Sequence, residues 1–301
     1  MDDPRMPVLP GGRVRRPDIR GKYFCHHVSF ETLTASAIDS RDQFVVGAEG
    51  IGFEILKTSV LAQNYGAKVL LELTPQGQKL SNVPMFLSLF GTGRLPQYWS
   101  PGIFLPIATT LVVAADDRQL IAGAQNVRIA FHGRKVYRQP VYPRREYRTY
   151  FPYSYVANFT ADNGGVGALT ANGVSILNIP TDGSADFEVR AISIVSDAAI
   201  TLQVASESDN WFQETMRSEL FGGSLVELPT DGGSGEYAFR LPAPRFVPGA
   251  EPISVYVTEA GGVANRVQIA FHGNKLYPKG GLAIPEVLVR LERGIEPRSL
   301  R

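Results

Sequence analysis

The residues with the greatest chemical potential lie in two nearly identical stretches, NVRIAFHGRKVY at 126–137 and NRVQIAFHGNKLY at 265–277. Each centres on a histidine in the pattern F-H-G-x-K-x-Y. An imidazole can serve as a general base, join a nucleophilic triad or bind a metal. Each role needs partners at a defined spacing. No G-x-S-x-G, H-E-x-x-H or H-x-H pattern accompanies either histidine. Recurrence of the whole stretch suits architecture better than two copies of one active site. Phe131, His132, Gly133 and Tyr137, with Phe271, His272, Gly273 and Tyr277, therefore read as a structural repeat.

Other reactive groups are sparse. Cys25, His26 and His27 are metal-capable, but neighbours on an extended chain point to opposite faces and cannot easily share one ion. Asp116 and Asp117, and Asp182 with Asp186, fall in expected turns, so no carboxylate pair is fixed on one strand face. The Asn158–Thr160 glycosylation pattern reads as incidental, and the glycine-rich loops match no nucleotide fingerprint. The expectation is a chain with no catalytic, cofactor-binding or metal residues, no small-molecule substrate and no enzymatic activity.

The elements that carry these residues are strands. Val127, Ile129 and Phe131 alternate with Arg128, Ala130 and His132. The same period of two runs through Ile51, Phe53 and Ile55; Ile200, Leu202 and Val204; and Ile253, Val255 and Val257. Turn clusters such as NGG at 163–165 and TDG at 181–183 separate them. A short helix is expected over 209–220, capped by Asp209 and stopped by Gly222, with at most a single turn at its counterpart around Pro84.

The likeness between halves extends beyond the histidine strand. SLFGTG at 88–93 pairs with ELFGGS at 219–224, and PGIFLPIATTLVV at 101–113 with APRFVPGAEPISVYV at 243–257. KYF…FETLTA at 22–35 resembles TYF…NFTA at 149–161. The order is the same in both halves, which indicates tandem duplication of one domain. The expected fold class is all-β, with two tandem antiparallel β-sandwich (jelly-roll-like) domains at 23–137 and 156–277. The repeated stretch is the closing strand of each, with the histidine on its outward or loop-facing side. The glycine marks a strand end, a positive φ or a close approach.

The chain has 301 residues, 44% hydrophobic and 20% charged, with 30 Gly and 21 Pro. That composition calls for packed cores and many turns. A formal net charge of +1 calls for neither nucleic acid nor an anionic membrane as partner. One cysteine permits no intrachain disulfide. The Pro/Gly-rich N-terminus lacks the apolar stretch of a secretory signal, and no run reaches bilayer length.

Three segments look like arms. An extended N-terminal arm (1–22) carries Arg13, Arg15, Arg16 and Arg20. A linker (138–155) carries Tyr142, Arg144, Arg145, Tyr147, Tyr150 and Tyr153. A basic C-terminal arm covers 278–301. Tyr and Arg are enriched at interfaces, so these are the interface candidates, expected to order against neighbouring copies.

The unit LFGTGRLPQYWSPGIFLPIATTLVVAADD…NVRIAFHGRKVY and its second copy resemble β-sandwich structural proteins of bacteriophage virions, including minor head and capsid-associated proteins. The resemblance covers roughly 22–277. It implies a virion component without enzymatic activity, assembled in the host cytoplasm as a homo-oligomer with other capsid or connector proteins. The roles implied are decoration, cement, minor capsid or collar. A double-jelly-roll major capsid protein is one alternative. The other is a tandem carbohydrate-binding module with Tyr98, Trp99 and Trp211 as sugar platforms.

Overall fold

Period-two alternation of apolar and polar side chains builds both cores. The computed structural model describes residues 8–9, 13–15, 20–33, 40–62, 68–74, 77–116, 125–139, 146–160, 165–206, 209–222, 224–225 and 238–278. The chain opens with β1 (Val8–Leu9) and β2 (Arg13–Arg15). The first domain runs β3 (Gly21–Leu33), β4 (Ser40–Val45), β5 (Gly52–Ala62), β6 (Lys68–Thr74), β7 (Gln78–Lys79), β8 (Met85–Phe86), β9 (Gln97–Pro106), β10 (Thr110–Asp116) and β11 (Gln125–Val136). The second runs β12 (Glu146–Phe159), β13 (Val174–Ile179), β14 (Asp186–Ser196), β15 (Ile200–Ser206), β16 (Asp209–Asn210), β17 (Met216–Arg217), β18 (Ser224–Leu225), β19 (Phe239–Val247), β20 (Ile253–Glu259) and β21 (Val267–Pro278).

Both domains are antiparallel sandwiches of one topology. The first stacks β3-β11-β5-β9 on β4-β10-β6-β7, with β8 also on β6. The second stacks β12-β21-β14-β19 on β13-β20-β15-β16, with β17 also on β15 and the short β18 also on β14. Leaving β8, β17 and β18 aside and counting strands along each domain, the sheet orders are 1-8-3-6 and 2-7-4-5, the jelly roll. The fold is thus two tandem jelly rolls, as the duplication predicted.

Each core is filled by the inward set of the alternation. Phe44, Phe53, Leu71, Leu111, Ile129 and Phe131 close the first. Phe159, Phe187, Leu202, Val255, Ile269 and Phe271 close the second. Burying each such side chain contributes about 1.5–3 kcal/mol. The second core does not stop at its own domain. Tyr23, Cys25 and Ala130, from the outer face of β3 and β11, belong to it.

Several expected boundaries shift. Most of the expected linker is strand, because β12 begins at Glu146. Tyr147 is no interface residue: it is buried and donates a hydrogen bond to Asp186 Oδ2 at 2.7 Å. Tyr150 and Tyr153 are exposed on β12. The N-terminal segment does not wait for a neighbouring copy, since β2 pairs with β12 of its own chain, Val14 opposite Tyr147 and Arg15 opposite Glu146. The edge of β12 offers unpaired backbone groups, and the nearest strand takes them. Arg13 and Arg15 lie in β2 and Arg20 is exposed just before β3. Arg16, Tyr142, Arg144, Arg145 and the tail beyond 278 lie outside the described residues.

The helix expected over 209–220 is absent. Asp209–Asn210 and Met216–Arg217 pair with β15, and only Ser218–Phe221 coils, as a 3₁₀ turn closed by Gly222 in the left-handed region. Backbone bonds between Cys25 and the 211–213 segment hold that stretch extended. The counterpart in the first domain is a single 3₁₀ turn at Leu87–Phe90, as expected.

Candidate functional site

The repeated histidine stretch lies inside β11 and β21, and the strands run on past the glycine. The pattern F-H-G meets the same irregularity in both domains. Opposite it, β5 shifts register at Leu56, between partners Ile55 and Lys57, and β14 shifts at Arg190, between Val189 and Ala191. A β-bulge of this kind brings backbones close. A Cβ on Gly133 would lie 1.9 Å from the Glu54 carbonyl oxygen, and one on Gly273 would lie 1.9 Å from that of Glu188. Close approach, and not a strand end or a positive φ, is why glycine follows the histidine.

Alternation then sets the histidines. Phe131 enters the first core, so His132 faces outward from the sandwich. That face is not solvent: His132 is fully buried under the second domain. Its Nδ1 is 3.0 Å from Tyr23 Oη and its Nε2 is 2.8 Å from Ser59 Oγ. Ser59 has one hydroxyl proton and donates it to the Leu220 carbonyl at 2.9 Å. The ring must therefore carry its proton on Nε2 and give it to Ser59, while Tyr23 donates to Nδ1. The result is a directed chain, Tyr23 to His132 to Ser59 to Leu220, that crosses from one domain to the other. Burial, with the Lys57 ammonium nearby, pulls the His132 pKa down to about 3, so the ring stays neutral. Phe239 and Phe221 close over it at 4.6 and 5.4 Å between ring centroids.

The seam extends along the same face. Cys25 donates its N–H to the Trp211 carbonyl and accepts from the Gln213 N–H, a strand-like bridge between domains. His26 bonds Gln213 at 2.7 Å and stacks on Phe44 inside the first core, and burial drops its pKa to about 4. His27, on the opposite face, pairs with Glu214 at 3.8 Å. Cys25, His26 and His27 are thus divided between a core and a domain seam. The fully buried Arg245 donates to the Tyr23 carbonyl and pairs with Asp209 at 2.8 Å. Lys57 reaches the Arg240 carbonyl and lies over the Tyr98 and Phe239 rings.

The second histidine repeats the pattern without the cover. Pairing places Ser193 opposite Ala270, as Ser59 is opposite Ala130, and Ser154 opposite His272, as Cys25 is opposite His132. His272 Nε2 lies 2.8 Å from Ser193 Oγ and its Nδ1 lies 2.8 Å from Ser154 Oγ. Partial burial lowers its pKa, less drastically than for His132. A serine nucleophile would want its imidazole oriented by a carboxylate, and here a second hydroxyl holds that position. The arrangement orients a ring on an open sheet. On that face Val156 and Val195, opposite Ala270 and Gln268, are each 44% exposed.

Sequence reasoning found both histidines and their outward direction. It missed Ser59, Ser193, Leu220 and Arg245, because only the pairing of β5 with β11 and of β14 with β21 shows which serine meets which ring. The sugar-platform reading loses its anchor, since Trp211 is fully buried with its indole N–H on Ser206. Trp99 packs against the first core.

No family model matches the chain, and no curated protein matches it. Among solved structures it is similar to PNGase F, a glycosylasparaginase from Flavobacterium meningosepticum. The identity is 11%, 84% of this chain and 96% of that one are covered, and the TM-score is 0.22. It is also similar to a peptide-N(4)-(N-acetyl-β-D-glucosaminyl)asparagine amidase at 12% identity, covering 85% and 98%, with a TM-score of 0.21. A cycloalternan-forming enzyme from Listeria monocytogenes matches at 15%, covering 89% of this chain and 21% of that one, with a TM-score of 0.19. These likenesses are of fold alone and assign no activity. They do correct one expectation: the three named here are enzymes, so the exclusion of enzymatic activity drawn from the residues is withdrawn.

Proposed function

We propose that this chain is a virion structural protein that works by self-association, a double-jelly-roll building block of a bacteriophage-type shell. One observation carries the reading. Two domains of one topology bear the same histidine face, and among the described residues one face is sealed within the chain while the other stands open. A protein that has already evolved a cover for that face has the means to extend the same contact to further copies. Repeating one modest interface is how closed assemblies gain stability. The near-neutral net charge of +1 leaves little long-range repulsion between copies. The proposed partners are other copies of the chain and further capsid or connector proteins, and the proposed place of action is the virion. Electron microscopy of the purified chain tests this directly. Regular multi-subunit particles are the expected outcome, and a field of isolated two-lobed molecules at every concentration contradicts the reading.

A further inference from the structure

Resting on that reading of a self-associating chain, we infer that the open His272 face is filled by one particular surface of a second copy: the β8–β9 edge of its first domain. Copies would then join head to tail.

The argument starts from the seam already present. The first domain's face is closed by three features of the second. The Leu220 carbonyl of the 3₁₀ turn takes the Ser59 proton, Trp211–Gln213 bridges Cys25, and β19 lies over Tyr23 and His132. Duplication gives the first domain the same three elements, with Gln97 at the place of Phe239 and Ile103 at that of Arg245. Its 3₁₀ turn puts Leu89 where the second has Leu220, residues 80–82 stand where 211–213 stand, and β9 matches β19. Leu220 is 0% exposed within the cluster that spans both domains, and Leu89 is 59% exposed. Phe86 and Phe104 along the same edge are also exposed. The molecule therefore carries one closed joint and both unmatched halves of a second.

The halves agree at the serine and at the turn carbonyl. Ser193 takes the Nε2 proton of His272 if the ring adopts the His132 tautomer, which leaves the Ser193 hydroxyl proton to donate outward. In the closed joint the equivalent proton goes to a carbonyl of the 3₁₀ turn. Across copies that acceptor is the Leu89 carbonyl. Val156 and Val195 supply the apolar surround, and their equivalents His27 and Leu61 flank the closed joint. A heterologous contact of this kind must close into a ring or run on as a filament.

Two single variants and their mixture test the inference, read as molar mass by light scattering after gel filtration. Val156→Asp spoils the open face and Leu89→Asp spoils the edge. Both positions are exposed, so the fold survives; far-UV circular dichroism checks this, and Val195→Asp replaces Val156→Asp if needed. The expected results are an oligomer for the parent chain, monomers for each variant alone, and a one-to-one dimer when the two are mixed. The mixture pairs the intact edge of one variant with the intact face of the other. If Val156→Asp is monomeric while Leu89→Asp assembles like the parent, self-association stands and the head-to-tail inference falls. If both variants assemble like the parent, copies meet elsewhere and the inference also falls. If the parent is itself monomeric, the inference falls together with the reading on which it rests.

Discussion

At the residue scale, Gly133 and Gly273 are the clearest case of a side chain forbidden by its surroundings. Each faces the backbone of a bulged partner strand, with a carbonyl where a Cβ would go. Gly133→Ala and Gly273→Ala should each cost about 3 kcal/mol or more, measured as the shift in a urea unfolding midpoint. Equal costs are expected because the geometry repeats. The histidines should differ instead. His132→Ala orphans the Tyr23 and Ser59 hydroxyls in a buried seam and should cost about 2–4 kcal/mol, whereas His272→Ala on the open face should cost within about 1 kcal/mol.

The buried imidazoles also set a pH dependence. In the unfolded chain His26 and His132 take a proton near pH 6.5; in the folded chain burial holds them neutral down to about 4 and about 3. A depressed pKa means stability that is complete above 6.5 and is lost as pH falls toward those values. Urea midpoints measured from pH 7 to pH 4 should therefore decline, and His132→Phe should flatten the decline. A midpoint independent of pH over that range contradicts the neutral seam. The imidazole direction was legible in the sequence, because Phe131 and His132 alternate. Burial was not, because it depends on the second domain lying over β11.

At the element scale, the strands were the most legible part of the chain. Ile200, Leu202 and Val204, like Ile253, Val255 and Val257, are inward and fully buried, as alternation required. The failures share one cause, a long-range contact overriding a local signal. The 209–220 segment has helical spacing, yet its backbone is claimed by β15 and by Cys25. The Tyr/Arg/Pro run after 145 looks like a linker, yet it is β12. Pro152 is tolerated opposite Asn274 because, among the described residues, no strand pairs with the other side of β12 there, and proline in a sheet is confined to such edges. The same edge explains the N-terminal strands. Deleting residues 1–15 should leave both jelly rolls folded, with β3 intact from Gly21. It should raise amide exchange at Glu146 and Tyr147, the partners of β2, and leave the Ser154 region unchanged. Loss of protection throughout the second domain would instead make the segment part of its core.

At the scale of the whole molecule, duplication was visible in sequence from the paired F-H-G stretches, and the matching sheet orders bear it out. The asymmetry was invisible, because neither half alone says which histidine face is covered. That asymmetry is the basis of the functional proposal. One chain contains a finished joint, with Leu220 under Ser59, and an unfinished one, with Ser193 and Leu89 both waiting. The most direct measurement is the molar mass of the purified 301-residue chain by sedimentation equilibrium across a wide concentration range. The account predicts a mass that is a whole-number multiple, two or greater, of 32.9 kDa. A single species at 32.9 kDa throughout would contradict it.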